Sequence, residues 1–136
     1  MLDISTSGML AQRARMTAIS ANLANRGSVA EDGTPYRAKQ VFFEAGDPSA
    51  ATAEGRRYGV HLAAVRDDPS EFNLRWDPDH PHALKQGPKA GYVRESNVNS
   101  VVEQVNAIQA SRAYEANVVA AETTKSMIQQ ALRLIA

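Results

Sequence analysis

The residues best equipped for chemistry fall in Asp77-Pro78-Asp79-His80-Pro81-His82-Ala83, which holds two carboxylates and two imidazoles within one short stretch. Carboxylate oxygen and imidazole nitrogen suit zinc or a related divalent ion, so Asp77, Asp79, His80 and His82 form a candidate ligand set. The prolines argue against it. Pro78 and Pro81 fix their own backbone angles and push the residues before them into extended conformations, so the side chains diverge. The only other histidine is His61, and no His-Glu-x-x-His pair supplies support. A rigid turn after a strand ending at Trp76 accounts for the segment, and no metal ligand is assigned. Asp67 and Asp68 offer a second acid pair, but they precede Pro69 at a strand end, where a turn is the ordinary arrangement. No Gly-x-Ser-x-Gly elbow, phosphate-cradling glycine loop or dinucleotide fingerprint is present. No catalytic residue is assigned, and a small metal-dependent hydrolase built around His80 stands only as an alternative of another class.

The elements that carry these residues follow from the distribution of helix breakers. All six prolines, seven of the eight glycines and seven of the eight aromatics lie between positions 27 and 92. A punctuated middle is thereby flanked by two helix-like arms. The expected division is an N-terminal helical arm, 1–26, a β-rich outer subdomain, 27–96, and a long C-terminal helix, 97–136. The fold class is α+β, with amphipathic terminal helices pairing in a coiled-coil-like domain.

The first arm places Leu2, Met9, Met16 and Leu23 seven apart, with Leu10 and Ile19 widening the stripe, which predicts an amphipathic helix from about Ile4 to Asn25. Asp3 or Ser5 is the expected cap, and Gly27 the expected left-handed stop. The second arm has no glycine or proline and eight alanines, so it predicts one long helix. Ser100 and Glu103 have capping-box spacing at its start. Its apolar seam runs Val98, Val101, Val105, Ile108, then resumes one position out of register as Tyr114, Val118, Ala121, Ile128, Leu132, Ile135. The slip near Ser111 and Arg112 predicts a local irregularity or a change of partner. In the middle, 36–43, 59–65 and 72–76 read as strands, and 44–58 as a flexible loop.

Fifteen basic residues balance fifteen acidic ones, so net charge favours neither nucleic acid nor an acidic partner. The chain lacks cysteine, which removes disulfides and thiolate metal sites. Its start does not read as a cleavable signal, and no run approaches the roughly 20 apolar residues of a membrane span. Direct membrane insertion is not expected, and export, if it occurs, is expected to involve no cleaved signal. At about 1.5 Å per residue the first helix would reach roughly 33 Å and the second about 55 to 60 Å, so neither can cover the other. Exposed apolar seam marks an interaction site, although terminal helices also pack into compact α+β cores. Charge pairs Arg112/Glu115 and Glu122/Lys125 read as solvated ion pairs. The segment 111–119 is less ordinary, because Arg112, Tyr114 and Asn117 gather at the register slip.

Four stretches together resemble the flagellar basal-body rod proteins, particularly those of the proximal rod: SGMLAQRARMTAISANLANRGS (7–28), GTPYRAKQVFF (33–43), the WDPDHPHA run with GYV and SNVN (76–99), and ASRAYEANV (110–118). The resemblance spans nearly the whole chain in order. It implies a non-enzymatic, self-assembling axial subunit without cofactors, exported by the flagellar type III apparatus and placed in the periplasmic rod that carries torque from motor to hook. Implied partners are other rod subunits, further copies of itself, distal rod proteins and the adaptor on the MS-ring and export-gate side, in homo- and hetero-oligomeric assembly. The subunit-contact residues it implies are Met9, Met16, Ile19, Asn22, Leu23 and Asn25 on the first helix and Arg112, Tyr114, Glu115, Asn117, Ile128 and Leu132 on the second. Arms of this kind gain most of their stability from packing, so helix content measured by circular dichroism in dilute solution should rise when partner subunits are added. Full helicity that partners leave unchanged would contradict this expectation.

Overall fold

A computed structural model describes residues 1–136. The order is α1 (Leu2–Asn25), β1 (Lys39–Ala45), α2 (Ala53–Tyr58), β2 (Val60–Asp67), β3 (Asn73–Trp76), β4 (Tyr92–Glu95) and α3 (Ser100–Ile135). The α+β class holds: two terminal helices pair, and the middle forms two separate antiparallel ribbons, β1–β2 and β3–β4.

α1 packs chiefly on α3 and also touches β1, β2 and α2. The pair is antiparallel. The Arg26 guanidinium meets Ser100, that of Arg15 meets Asn106 and Gln109, and Gly8 lies against Asn117. A Cβ on Gly8 would stand 2.8 Å from the Asn117 amide, which is folded back to donate to the Ala113 carbonyl at 2.9 Å. A glycine at this crossing lets the two backbones approach.

The shielded line of α3 is Glu103, Ala107, Ala110, Tyr114, Asn117, Ala121 and Thr124, alternating four and three residues apart. This is a coiled-coil spacing built from small and polar side chains. Val101, Val105 and Ile108, expected to begin the seam, are 67, 49 and 55% exposed. The helix is unbroken, so the register slip marks a change of face: of the first half of the apolar pattern, Val98 is buried just before the helix while Val101, Val105 and Ile108 point outward, and the second half begins on the line toward α1.

Both helix starts differ from expectation. Asn99 caps α3, its side-chain oxygen accepting from the amides of Val101 and Val102, while the Ser100 hydroxyl accepts from Arg26 instead of closing a capping box. α1 begins at Leu2 without a side-chain cap, because Asp3 binds the Thr52 amide and hydroxyl and Ser5 is buried. The Thr52 bonds lower the Asp3 pKa. α1 ends through the Asn25 amide, which donates to the Ala21 carbonyl, and Gly27 does not adopt the left-handed conformation.

The segment read as a flexible loop contains α2, capped by the Thr52 hydroxyl accepting from the Gly55 amide. β4 was not expected, since Tyr92-Val93-Arg94-Glu95 is short and half charged. Its pairing sets Trp76 opposite Tyr92, ring edge to ring face at 5.0 Å. Gly91, at φ +87°, sits directly under the Trp76 ring, where a Cβ would be 2.6 Å from ring carbon.

Near the end of α1 one buried side chain ties the helix to the middle of the chain. Asn22 is 1% exposed. Its Nδ2 donates to the Lys39 carbonyl at 3.0 Å, and its Oδ1 accepts from the Lys39 amide at 2.9 Å and the Tyr36 hydroxyl at 3.0 Å. Asn97 makes the matching link before α3, accepting from the Ala38 amide and donating to the Asp68 and Ser70 carbonyls. Asn22→Ala would leave the Lys39 amide and carbonyl without their side-chain partner at a site where Asn22 itself is buried. The expected cost is roughly 2 to 4 kcal/mol, read by urea denaturation; a change below about 0.5 kcal/mol, the range of ordinary surface substitutions, would contradict the assignment.

Candidate assembly surface

The stretch 77–83 is a double turn. The His80 amide donates to the Asp77 carbonyl and the Ala83 amide to the His80 carbonyl, while His80 Nδ1 accepts from the His82 amide at 3.0 Å. The two imidazoles are tilted, with centroids 5.7 Å apart. Nowhere do three His, Asp or Glu side chains gather in a metal-holding group. Asp67 pairs with Lys39 at the end of β2, and Asp68 closes the next turn by accepting from the Ser70 amide and hydroxyl. These bonds hold the Asp68 carboxyl below its ordinary pKa. Asp67 is thus engaged across the β1–β2 ribbon and Asp68 in the turn that follows it.

The implied contact residues divide into three groups. Ile19 and Asn22 are buried within the chain, Asn22 on its bonds to Lys39 and Tyr36. Met9, Met16, Leu23 and Asn25 are half-buried on α1, and Tyr114 and Asn117 are half-buried on the α3 line toward α1. Arg112 and Glu115 are exposed, and they continue the outward stripe of Val101, Val105 and Ile108 at the same four-and-three spacing, through to Val119 and Glu122. Thus the cluster 111–119 is split by the helix: Tyr114 and Asn117 face in, Arg112 and Glu115 face out.

From Lys125 onward every residue of α3 is exposed, about 16 Å of helix at about 1.5 Å per residue that α1 does not reach. Ile128 and Leu132 lie here, with Met127, Leu134 and Ile135 beside them. Val102, Val119, Met127 and Leu134 were outside the expected seam, although the unequal helix lengths already implied uncovered surface. Leu10, 57% exposed on α1, adds to it.

Exposed apolar side chains that succeed one another along the last turns of α3 make it a candidate binding surface. A family model described as flagellar basal body rod FlgEFG protein C-terminal matches residues 89–134, from just before β4 through nearly all of α3. The flagellar basal-body rod protein FlgC of Borreliella burgdorferi is 38% identical, covering 98% of this chain and 95% of its own length. FlgC of Yersinia enterocolitica is 42% identical, over 97 and 93%, and FlgC of Bacillus subtilis 34%, over 98 and 95%. The chain belongs to the FlgC family of flagellar basal-body rod proteins. It is a structural component of the flagellar basal body and not an enzyme. Assembly with other rod components follows from that membership. No helix is long and apolar enough to cross a membrane.

The two faces of α3 should respond differently to substitution. Val105→Ser and Ile108→Ser, both on the outward stripe, should each change folding stability by less than about 0.5 kcal/mol. Ala110→Leu, at a fully buried position against α1, should cost about 1 to 3 kcal/mol through overpacking. Equal losses in urea denaturation would contradict the assignment of the faces.

Proposed function

We propose that the chain forms part of the proximal rod, with the α1–α3 pair (from 1–26 and 97–136) in the axial core and the middle, 27–96, as an outer subdomain. The observation that carries this reading is the apolar surface of α3 left outside the intrasubunit pair, on the outward stripe and the terminal turns. Burying such surface is worth roughly 25 cal/mol per Å², which favours association once neighbours are available. In this proposal Ile128 and Leu132 enter an apolar contact with neighbouring helices, while Arg112 and Glu115, within the outward stripe, set register through charge. Met9, Met16, Leu23 and Asn25 line the side of α1 that a neighbour can reach. The neighbours are copies of this chain, other rod subunits, distal rod proteins and the adaptor at the MS-ring and export-gate side. Export through the type III apparatus and transmission of torque belong to the same reading. The short packed crossing at Gly8 supports it mechanically, since close-packed helices transmit strain.

Deletion of the gene in its source organism should abolish complete rods and swimming, and the wild-type gene should restore both. Ile128→Asp together with Leu132→Asp should fail to restore them while leaving the isolated protein folded, because both positions are solvent-exposed in the subunit. Full swimming by the double variant would contradict the assigned role of the α3 terminus.

A further inference from the structure

Each residue of the outward stripe of α3, from Val101 to Glu122, stands two positions before a residue of the line toward α1. At 3.6 residues per turn two positions are a rotation of about 200°, so the stripe faces directly away from α1. Its spacing of four and three is that of a coiled coil, with Arg112 and Glu115 at the centre and Ile108 and Val119 beyond them on either side. Ile108 and Val119 are both more than half exposed. The central charges are unused within the subunit. Arg112, Glu115 and Glu122 are exposed, and the ion pairs of the chain all lie outside α3. The pairs expected along the helix at Arg112/Glu115 and Glu122/Lys125 are therefore not made.

Such a stripe is complementary to itself in one orientation. Arg112 and Glu115, Ile108 and Val119, and Val105 and Glu122 are placed symmetrically about one midpoint, between Ala113 and Tyr114. Two copies laid antiparallel about that midpoint set Arg112 of each against Glu115 of the other, and Ile108 of each against Val119 of the other. Parallel copies set arginine against arginine and glutamate against glutamate, which repulsion disfavours. The positions on either side of the stripe, from Val102 to Lys125, are neutral apart from Lys125, which falls opposite Gln104 in the antiparallel register. Like charges therefore do not meet along the rim. The outer layers, Val105 against Glu122, add little apolar contact, and charges at seam positions specify register at a cost in stability. The complementarity is thus specific and the contact weak.

We propose that two copies of the isolated chain pair antiparallel through the outward stripes of α3, as a weak two-fold symmetric dimer whose register is set by Arg112 and Glu115. This goes beyond the reading of the chain as a rod subunit, because it concerns chains that have not yet assembled. The pair covers the stripe that rod neighbours use in that reading, so it must open before a subunit joins them. In dilute protein the stripe is open; in concentrated protein it is covered.

Sedimentation equilibrium of the full chain should show monomer at about 1 µM and a dimer with a dissociation constant on the order of 100 µM. Arg112→Glu and Glu115→Arg, both at exposed positions, should each weaken the dimer by about tenfold or more, and the two combined in one chain should restore it to within about threefold. Circular dichroism reports whether each variant folds. Orientation is read separately, because the chain has no cysteine. An equal mixture of Ile108→Cys and Val119→Cys chains, oxidised with diamide at dimer-forming concentration, should yield mainly the mixed disulfide, identified by mass. This cross-link keeps the test decisive if a charge variant unfolds. A chain that stays monomeric to about 1 mM, undiminished dimer in both single variants, no recovery in the folded combined variant, or a majority of like-with-like disulfides would each overturn the pair. A monomeric chain whose stripe is protected only in basal bodies would give the stripe to other rod subunits instead. Normal rods from the wild-type gene together with a monomeric chain contradict the pair alone, whereas failure of that gene to rescue contradicts the rod reading alone.

Discussion

The close contact between α1 and α3 is made by small and polar side chains, and the remaining surface is arranged around that fact. Gly8 against Asn117, Arg15 against Asn106 and Gln109, and the alanines at 107, 110 and 121 let the two helices approach closely, with Ile19 and Tyr114 the larger side chains covered on the two helices. In an ordinary two-helix pair, leucine and isoleucine fill the seam and stabilise the pair by their burial. Here valines, isoleucines and leucines are left on the outside of α3 and beyond the end of α1. The subunit is held together by specific contacts of modest energy and keeps its hydrophobic surface for neighbours.

That arrangement explains why the middle of the chain must be tied down by hydrogen bonds. Two two-stranded ribbons cannot form a core on their own. Asn22 and Asn97, one near the end of α1 and one just before α3, each bond to the backbone where β1 begins, at Lys39 and Ala38. Both asparagines therefore fix the angle at which the β1–β2 ribbon leaves the helical pair. On the other side of the pair, Ser7 Oγ accepts from the Val60 amide and Asp3 from Thr52, which anchors α2 and β2 along the first turns of α1. A subunit that must place an outer subdomain in a defined orientation on a helical core gains from such directional bonds, which apolar packing alone does not supply.

Much of this was legible in the sequence, and the misreadings have physical causes. Both long helices, the alternation in 72–76 and the turns at 67–70 and 77–83 follow from breaker placement and periodicity. The small-residue seam does not, because a pattern search follows the large apolar residues, and in α3 these change face near Ser111. β4 escaped because Arg94 and Glu95 hide a strand that exists through its pairing with β3, and α2 because six residues containing a glycine carry little propensity. Asn22 was legible as part of an Asn-Leu-Ala-Asn segment but not as a buried tether, since its partners at Tyr36 and Lys39 are brought to it only by the chain's return. Gly27 looked like a helix stop and is not one, since Asn25 closes that end.

The account turns on which surfaces of α3 are covered within the subunit and which only in the rod. Because the chain contains no cysteine, single cysteines can be placed one at a time and labelled with a maleimide, in the isolated protein and in purified basal bodies. Ile128→Cys and Val105→Cys should label readily in the isolated protein and be protected in basal bodies, while Ala110→Cys should resist labelling in both. Free labelling of Ile128→Cys and Val105→Cys in assembled basal bodies would contradict the account.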